Sequence, residues 1–154
     1  MATTDTVRKA PMKPPKFAND LVTFLLRSPL HRLISNQLLL LTYTGQKSGK
    51  QVTVPLGYVR RDTTIVLLTD HAWYKNLLTN PQVSLRIQGK NYVGSAEVIA
   101  DDKAVVEQEM IYFVKQRPGG ARAYGVKMLP SGEPDLETVK EAVGRFTAIR
   151  IPLA

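Results

Sequence analysis

The sequence contains no cysteine, a single tryptophan, two histidines and no apolar run long enough to cross a membrane as a helix. Each scarcity removes a class of chemistry. Without cysteine there is no disulfide, no thiolate nucleophile and no sulfur-ligated metal, a composition that fits a reducing cytoplasm. His31 and His71 share no ligand-like spacing, so no protein-bound metal is expected. With so few histidines and no carboxylate pair that stands out, these residues do not assemble a hydrolytic triad or an acid–base couple. A membrane-spanning helix needs about 18 consecutive apolar residues, and the amino end lacks the apolar centre of a secretory signal. A cytoplasmic protein is the expectation. An enzyme so poor in catalytic side chains would take its chemistry from a cofactor and would itself supply a pocket, contacts and orientation.

What the chain does have is positive charge, unevenly placed. The net charge is +8, yet residues 62–154 hold eleven Lys or Arg and eleven acids, whereas residues 1–61 hold ten against two. An anionic partner is expected beside that first part, either a phosphorylated cofactor or an acidic membrane surface. Nucleic acid is not expected, because no recognised motif and no regular basic–aromatic interleaving is present. At 154 residues and 44% apolar, the chain can bury one full core. Pro11, Pro14 and Pro15 among Lys9, Lys13 and Lys16 make residues 1–18 read as a flexible basic arm, leaving 19–154 as one domain. Asn19 and Asp20 can cap a helix that runs to about Ile34 and kinks or divides at Pro29. Arg27, His31 and Arg32 give it a basic side. It reads either as packed on the domain or as lying on an anionic membrane.

Six strands are expected beyond it, over 38–44, 51–60, 64–69, 82–88, 92–100 and 145–151. Helices are expected over 72–79, 101–115 and 135–143. Val83, Leu85 and Ile87 alternate onto one face, whereas Val106, Met110, Phe113 and Val114 follow helical spacing. The links are mostly short, so the first five strands form an antiparallel meander. Closing six strands into a small barrel would remove exposed edges. The fold class is therefore mainly β with flanking helices, a six-stranded antiparallel barrel.

Between the first two strands lies Thr44-Gly45-Gln46-Lys47-Ser48-Gly49-Lys50. Two glycines let backbone N–H groups approach a ligand, and lysine and serine add donors, a combination suited to phosphate. It is not a P-loop, which needs four residues between its glycines and Ser or Thr after the lysine. Here three residues intervene and Gln51 follows Lys50. The same residues also suit a solvated hairpin loop.

Three motifs in order carry a resemblance: Leu-Leu-x-Tyr-Thr-Gly-x-Lys-Ser-Gly-Lys ending at Lys50, Val-Pro-Leu-Gly-Tyr-Val over 54–59, and Trp-Tyr-Lys-Asn-Leu-x-x-Asn-Pro over 73–81. Together they resemble the deazaflavin-dependent nitroreductase family, relatives of the FMN-binding split β-barrels. The likeness is good from Leu38 to Ala100 and looser elsewhere. It implies a reductase that uses deazaflavin coenzyme F420, a hydride donor with a phosphate and an acidic tail, on a small acceptor such as an enone, quinone or nitro compound. It also implies roles for single residues. Gly45, Lys47, Ser48, Gly49 and Lys50 match the phosphate and tail loop. Ala72, Trp73 and Asn76 border the ring system, Thr69 lies by its reactive edge, and Pro55, Leu56 and Tyr58 line the cofactor groove. Tyr112, Tyr124 and Met128 are candidates for the acceptor wall, with Thr69 and Tyr124 as sources of a proton. The family pattern has arginine where this chain has Gln46 and Val52, which weakens a bidentate phosphate site. Flavin mononucleotide therefore stays open as the cofactor, as does a non-catalytic carrier of a flavin-like or lipid-like ligand. Trp73, Tyr74 and Tyr112 could equally be core aromatics. The oligomer would be a monomer or a homodimer.

Overall fold

The computed structural model describes residues 38–154. The basic arm and first helix, with their suggested membrane contact, lie outside the described residues. Among those described, no helix is long and apolar enough to cross a membrane.

The chain opens with β1 (Leu38–Thr44) and β2 (Gln51–Gly57), continues through β3 (Val59–Arg61) and β4 (Thr64–Thr69), and reaches a 3-10 turn (Ala72–Tyr74) that leads into α1 (Lys75–Thr79). Next come β5 (Gln82–Ile87), β6 (Lys90–Ser95), β7 (Glu97–Ile99) and α2 (Lys103–Gln116). A 3-10 segment (Pro118–Tyr124), α3 (Leu136–Val143) and β8 (Thr147–Pro152) complete it. The strands form two four-stranded antiparallel sheets, ordered β2-β1-β5-β6 and β3-β4-β8-β7.

This corrects the expected six-stranded closed barrel. Two expected strands break, one at Tyr58 and one at Ala96, and each gives its halves to different sheets. All four halves are edge strands, so the two sheets are joined at both sides by broken strands rather than by one continuous ladder. Backbone groups released at the corners find other partners. Arg117 Nε donates to Tyr58 O at 3.3 Å, and Ala96 N–H donates to Pro81 O at 2.8 Å. Gly94 sits where the sheets meet, bridged to Leu153. A Cβ there would lie 2.7 Å from Ile151 Cγ2 and 2.8 Å from Pro152 O, so the approach requires glycine. Pro55 is tolerated because β2 is an edge.

Two cores follow from this arrangement. Between the sheets, Leu39, Leu41 and Tyr43 of β1 and Val83, Leu85 and Ile87 of β5 meet Ile65, Leu67, Ile149 and Ile151. On the other side of the second sheet, Val66, Leu68 and Ala148 meet Val106, Met110, Phe113 and Val114 of α2 and Val139, Ala142 and Val143 of α3. Strand β4 is thus buried on both faces, which explains its unbroken apolar run. Both helices start on aspartates: Asp102 Oδ1 accepts from Val105 N–H, and Asp135 Oδ1 from Glu137 N–H. One residue on the buried face of α2 breaks the expected apolar pattern. Glu109 is 2% exposed and takes both guanidinium nitrogens of Arg61 at 2.9 Å. It also accepts from Arg150, which pairs with Glu97. These charges tie α2 to β3, β8 and β7. The Arg61 hydrogen bond holds the Glu109 carboxyl below the usual carboxylate range against the opposing effect of burial.

Candidate active site

The glycine loop closes the hairpin whose last pair is Thr44 and Gln51. Gly45 N–H donates to Lys50 O at 2.8 Å and Gly49 N–H to Gly45 O at 2.9 Å. Lys50 N–H donates to Ser48 Oγ at 3.1 Å. Gly49 has φ +70°, so the curl calls for a residue without a side chain there, and a Cβ on Gly45 would press on Ser48 Oγ at 2.9 Å. Among the described residues, the N–H groups of Lys47 and Ser48 have no hydrogen-bond acceptor. With the exposed Lys47 and Lys50 side chains, they make a cluster of donors suited to an anion.

The loop is also clamped to the helix that follows β4. Gln46 N–H donates to Asn76 Oδ1 at 2.9 Å, the Thr79 hydroxyl donates to Gln46 Oε1 at 3.0 Å, and Asn76 Nδ2 donates to Trp73 O at 2.7 Å. Trp73 Nε1 in turn donates to Thr69 Oγ1 at 3.0 Å, and His71 N–H reaches the same oxygen at 3.2 Å. Both acceptor positions of that hydroxyl are then taken, leaving its own hydrogen as the remaining valence. The Tyr43 ring stacks on Trp73 at 5.4 Å between centroids. A continuous chain of contacts therefore runs from the loop, through α1, to the end of β4.

The other sequence candidates divide. Leu56 packs on the core between the sheets, and Tyr58 is buried within it. Burial pushes the Tyr58 phenol up, opposed by the charges of Arg117 and Arg60. Pro55 faces Leu40 across the β1–β2 ladder, and Ala72 is exposed. A cavity of about 430 Å³ is lined by Gly57, Tyr58, Gln116, Gly119, Gly120 and Tyr124 among others. Tyr124 packs edge-on to Phe113 and tilted on Phe146; burial, and then Asp70, push its phenol up. Thr69 lines a separate cavity of about 340 Å³ with Lys75, Lys103, Arg145 and Phe146. Thr69 and Tyr124 thus border different cavities; Phe146 lines the Thr69 cavity and packs against the Tyr124 ring. Tyr112 lies under Arg61, 4.8 Å from its ring centre to the guanidinium, and Met128 pairs with Pro134. Neither lines the two cavities. Reasoning from the sequence missed Tyr43, Thr79 and the Gly57, Gly119 and Gly120 backbone. Tyr43 was accessible from alternation, since it continues the buried series Leu39, Leu41.

A family model described as F420H(2)-dependent quinone reductase matches residues 28–123. The chain belongs to that family. This reductase is an oxidoreductase, and its cofactor is the deazaflavin coenzyme F420. The family match decides against flavin mononucleotide and against a carrier without catalysis. Solved structures agree on the fold. One titled as an F420-H2 dependent reductase (FDR-A) is 21% identical, with TM-score 0.52, covering 75% of the reductase and 93% of that chain. One described as a domain-swapped dimer has 18% identity and TM-score 0.55, covering 88% and 96%. A conserved hypothetical protein from Mycobacterium tuberculosis has 16% identity and TM-score 0.54, covering 95% and 84%. Among curated proteins no match is found.

The chemistry of the loop suits a phosphate-bearing group. A phosphate needs N–H donors and positive charge in a concave backbone, and the curl offers two unclaimed N–H groups and two exposed lysines.

Proposed function

We propose that the reductase passes a hydride from reduced F420 to a quinone, with the cofactor's phosphate at the Gly45–Lys50 loop and its ring system beside Trp73. The observation that carries this reading is the clamp of Gln46 to Asn76 and Thr79. It makes the phosphate loop and the Trp73 segment one rigid unit, so a ligand held at one is oriented at the other. When bound, the cofactor supplies the hydride.

The protein's residues bind and orient. Lys47, Lys50 and the N–H groups of Lys47 and Ser48 hold the anion, with Ser48 Oγ and Gly49 shaping the curl. Ala72, Trp73 and Asn76 border the ring, while Pro55, Leu56 and Tyr58 line the groove. The cavity beside Tyr58 and Tyr124 takes the acceptor. Its volume of about 430 Å³ suits a bicyclic planar molecule, and Gly57, Gly119 and Gly120 leave its wall free of side chains there. Tyr124 keeps its proton throughout the neutral range, because burial pushes it up, and donates a hydrogen bond there. Thr69, fixed by two donors on its oxygen, can give only its own hydrogen. The proton that accompanies the hydride then comes from water or from Tyr124, because Thr69 opens on the other cavity. Tyr112 and Met128 act from behind this wall by packing.

Steady-state oxidation of reduced F420 tests the acceptor. A naphthoquinone should turn over at a higher kcat/KM than a nitroaromatic or a cyclic enone. Preference for either of the others, with the cofactor bound, would remove the quinone assignment.

A further inference from the structure

The outer face of the first sheet, away from Trp73, carries a groove of about 690 Å³ lined by Leu40, Thr42, Thr53, Ser84, Arg86 and Asn91 among others. At its centre Arg86 Nη1 donates to Asn91 Oδ1 at 2.9 Å. Arg86 Nε is shielded from water and has no acceptor. Among the described residues the guanidinium forms no ion pair, although the Ala154 end also lines the groove. A partly buried cation with one dry, unanswered N–H is costly unless an anion meets it. The walls add polar groups suited to oxygen: Thr42 and Thr53 share a hydrogen bond of 2.8 Å, and Ser84 is exposed.

From these observations we infer that this groove is a carboxylate-binding site. Arg86 is the charged anchor, Asn91 fixes its plane, and the Thr42, Thr53 and Ser84 hydroxyls serve the remaining oxygen valences. A planar guanidinium recognises a planar carboxylate better than a point charge does. The site is distinct from the phosphate loop, yet it begins close by. Thr42 and Thr53 form a cross-strand pair two positions from the loop-closing pair Thr44 and Gln51, about 7 Å along the strands. Arg86 lies opposite Leu40, further down the same sheet. The carboxylate could belong to a separate small acid or to the acidic tail of the bound cofactor.

The test titrates the full chain, free of cofactor, with glutarate and follows backbone amide shifts by NMR. Saturable shifts centred on Ser84, Arg86 and Asn91 are expected, weakened about tenfold or more in Arg86→Gln and only partly in Arg86→Lys. Equal shifts in Arg86→Gln, or the same response to sodium chloride at matched ionic strength, overturn the site. Repeating the titration with F420 bound separates the sources. Loss of the glutarate response assigns the carboxylate to the tail, and an unchanged response assigns it to a separate acid. Lys47→Ala weakens F420 without touching glutarate binding, so failure of the phosphate loop and failure of this groove are read independently.

Discussion

Thr69 shows how a single side chain organises the site from behind. The residue is 5% exposed, and its hydroxyl oxygen receives both Trp73 Nε1 and His71 N–H. Thr69→Val keeps the shape and removes the acceptor, stranding an indole N–H. The expected cost is about 1–3 kcal/mol of stability, read by urea denaturation, together with a shifted Trp73 emission maximum. An unchanged spectrum would mean that Thr69 does not position the tryptophan. At the loop, Lys47→Ala or Lys50→Ala should weaken F420 binding about tenfold, the size of one charge-assisted contact. The loss should shrink as salt rises, because both lysines are exposed and screened. The loop residues were legible in the sequence because glycine and lysine spacing is a local signal. The clamp was not: Gln46 reads as a missing arginine, and its partners Asn76 and Thr79 lie 30 and 33 positions away.

Elements with one buried face were the most legible, since period alone marks them. Strand β5 and helices α2 and α3 fall where alternation, helical spacing and capping aspartates put them. The breaks at Tyr58 and Ala96 were hidden. Each half continues the same pattern, and the bend is imposed by joining two sheets. Glu109 was hidden for the opposite reason, since its arginine partners come from other strands. Glu109→Gln should leave Arg61 and Arg150 facing each other without their shared anion. The cost should be about 2–3 kcal/mol, at or below the lower edge of what breaking a buried pair costs, because both arginines reach solvent. Thermal melts follow this with pH. The folded carboxyl titrates below its unfolded value, so its stabilisation is fully present above the ordinary glutamate pKa of about 4.3 and disappears as pH falls through the lowered folded value. The Glu109→Gln variant should lose that part of the acid dependence. A variant melting like the parent at neutral pH would show that the network adds no net stability.

On the scale of the whole molecule, two sheets joined at both sides leave the loop, α1 and the end of β4 at one contiguous region. Lys47 and Lys50 lie there, exposed, which suits a cofactor with phosphate and acidic tail. The single tryptophan makes this arrangement directly measurable, since Trp73 lies inside the proposed site and all tryptophan emission comes from it. Titrating F420 into the full chain should quench that emission saturably, through a ring within stacking distance. Flavin mononucleotide should quench with weaker affinity, and added salt should narrow the difference between the two. No quenching by F420 in a folded chain, or tighter binding of flavin mononucleotide at every salt concentration, would contradict the placement of the deazaflavin between the glycine loop and Trp73.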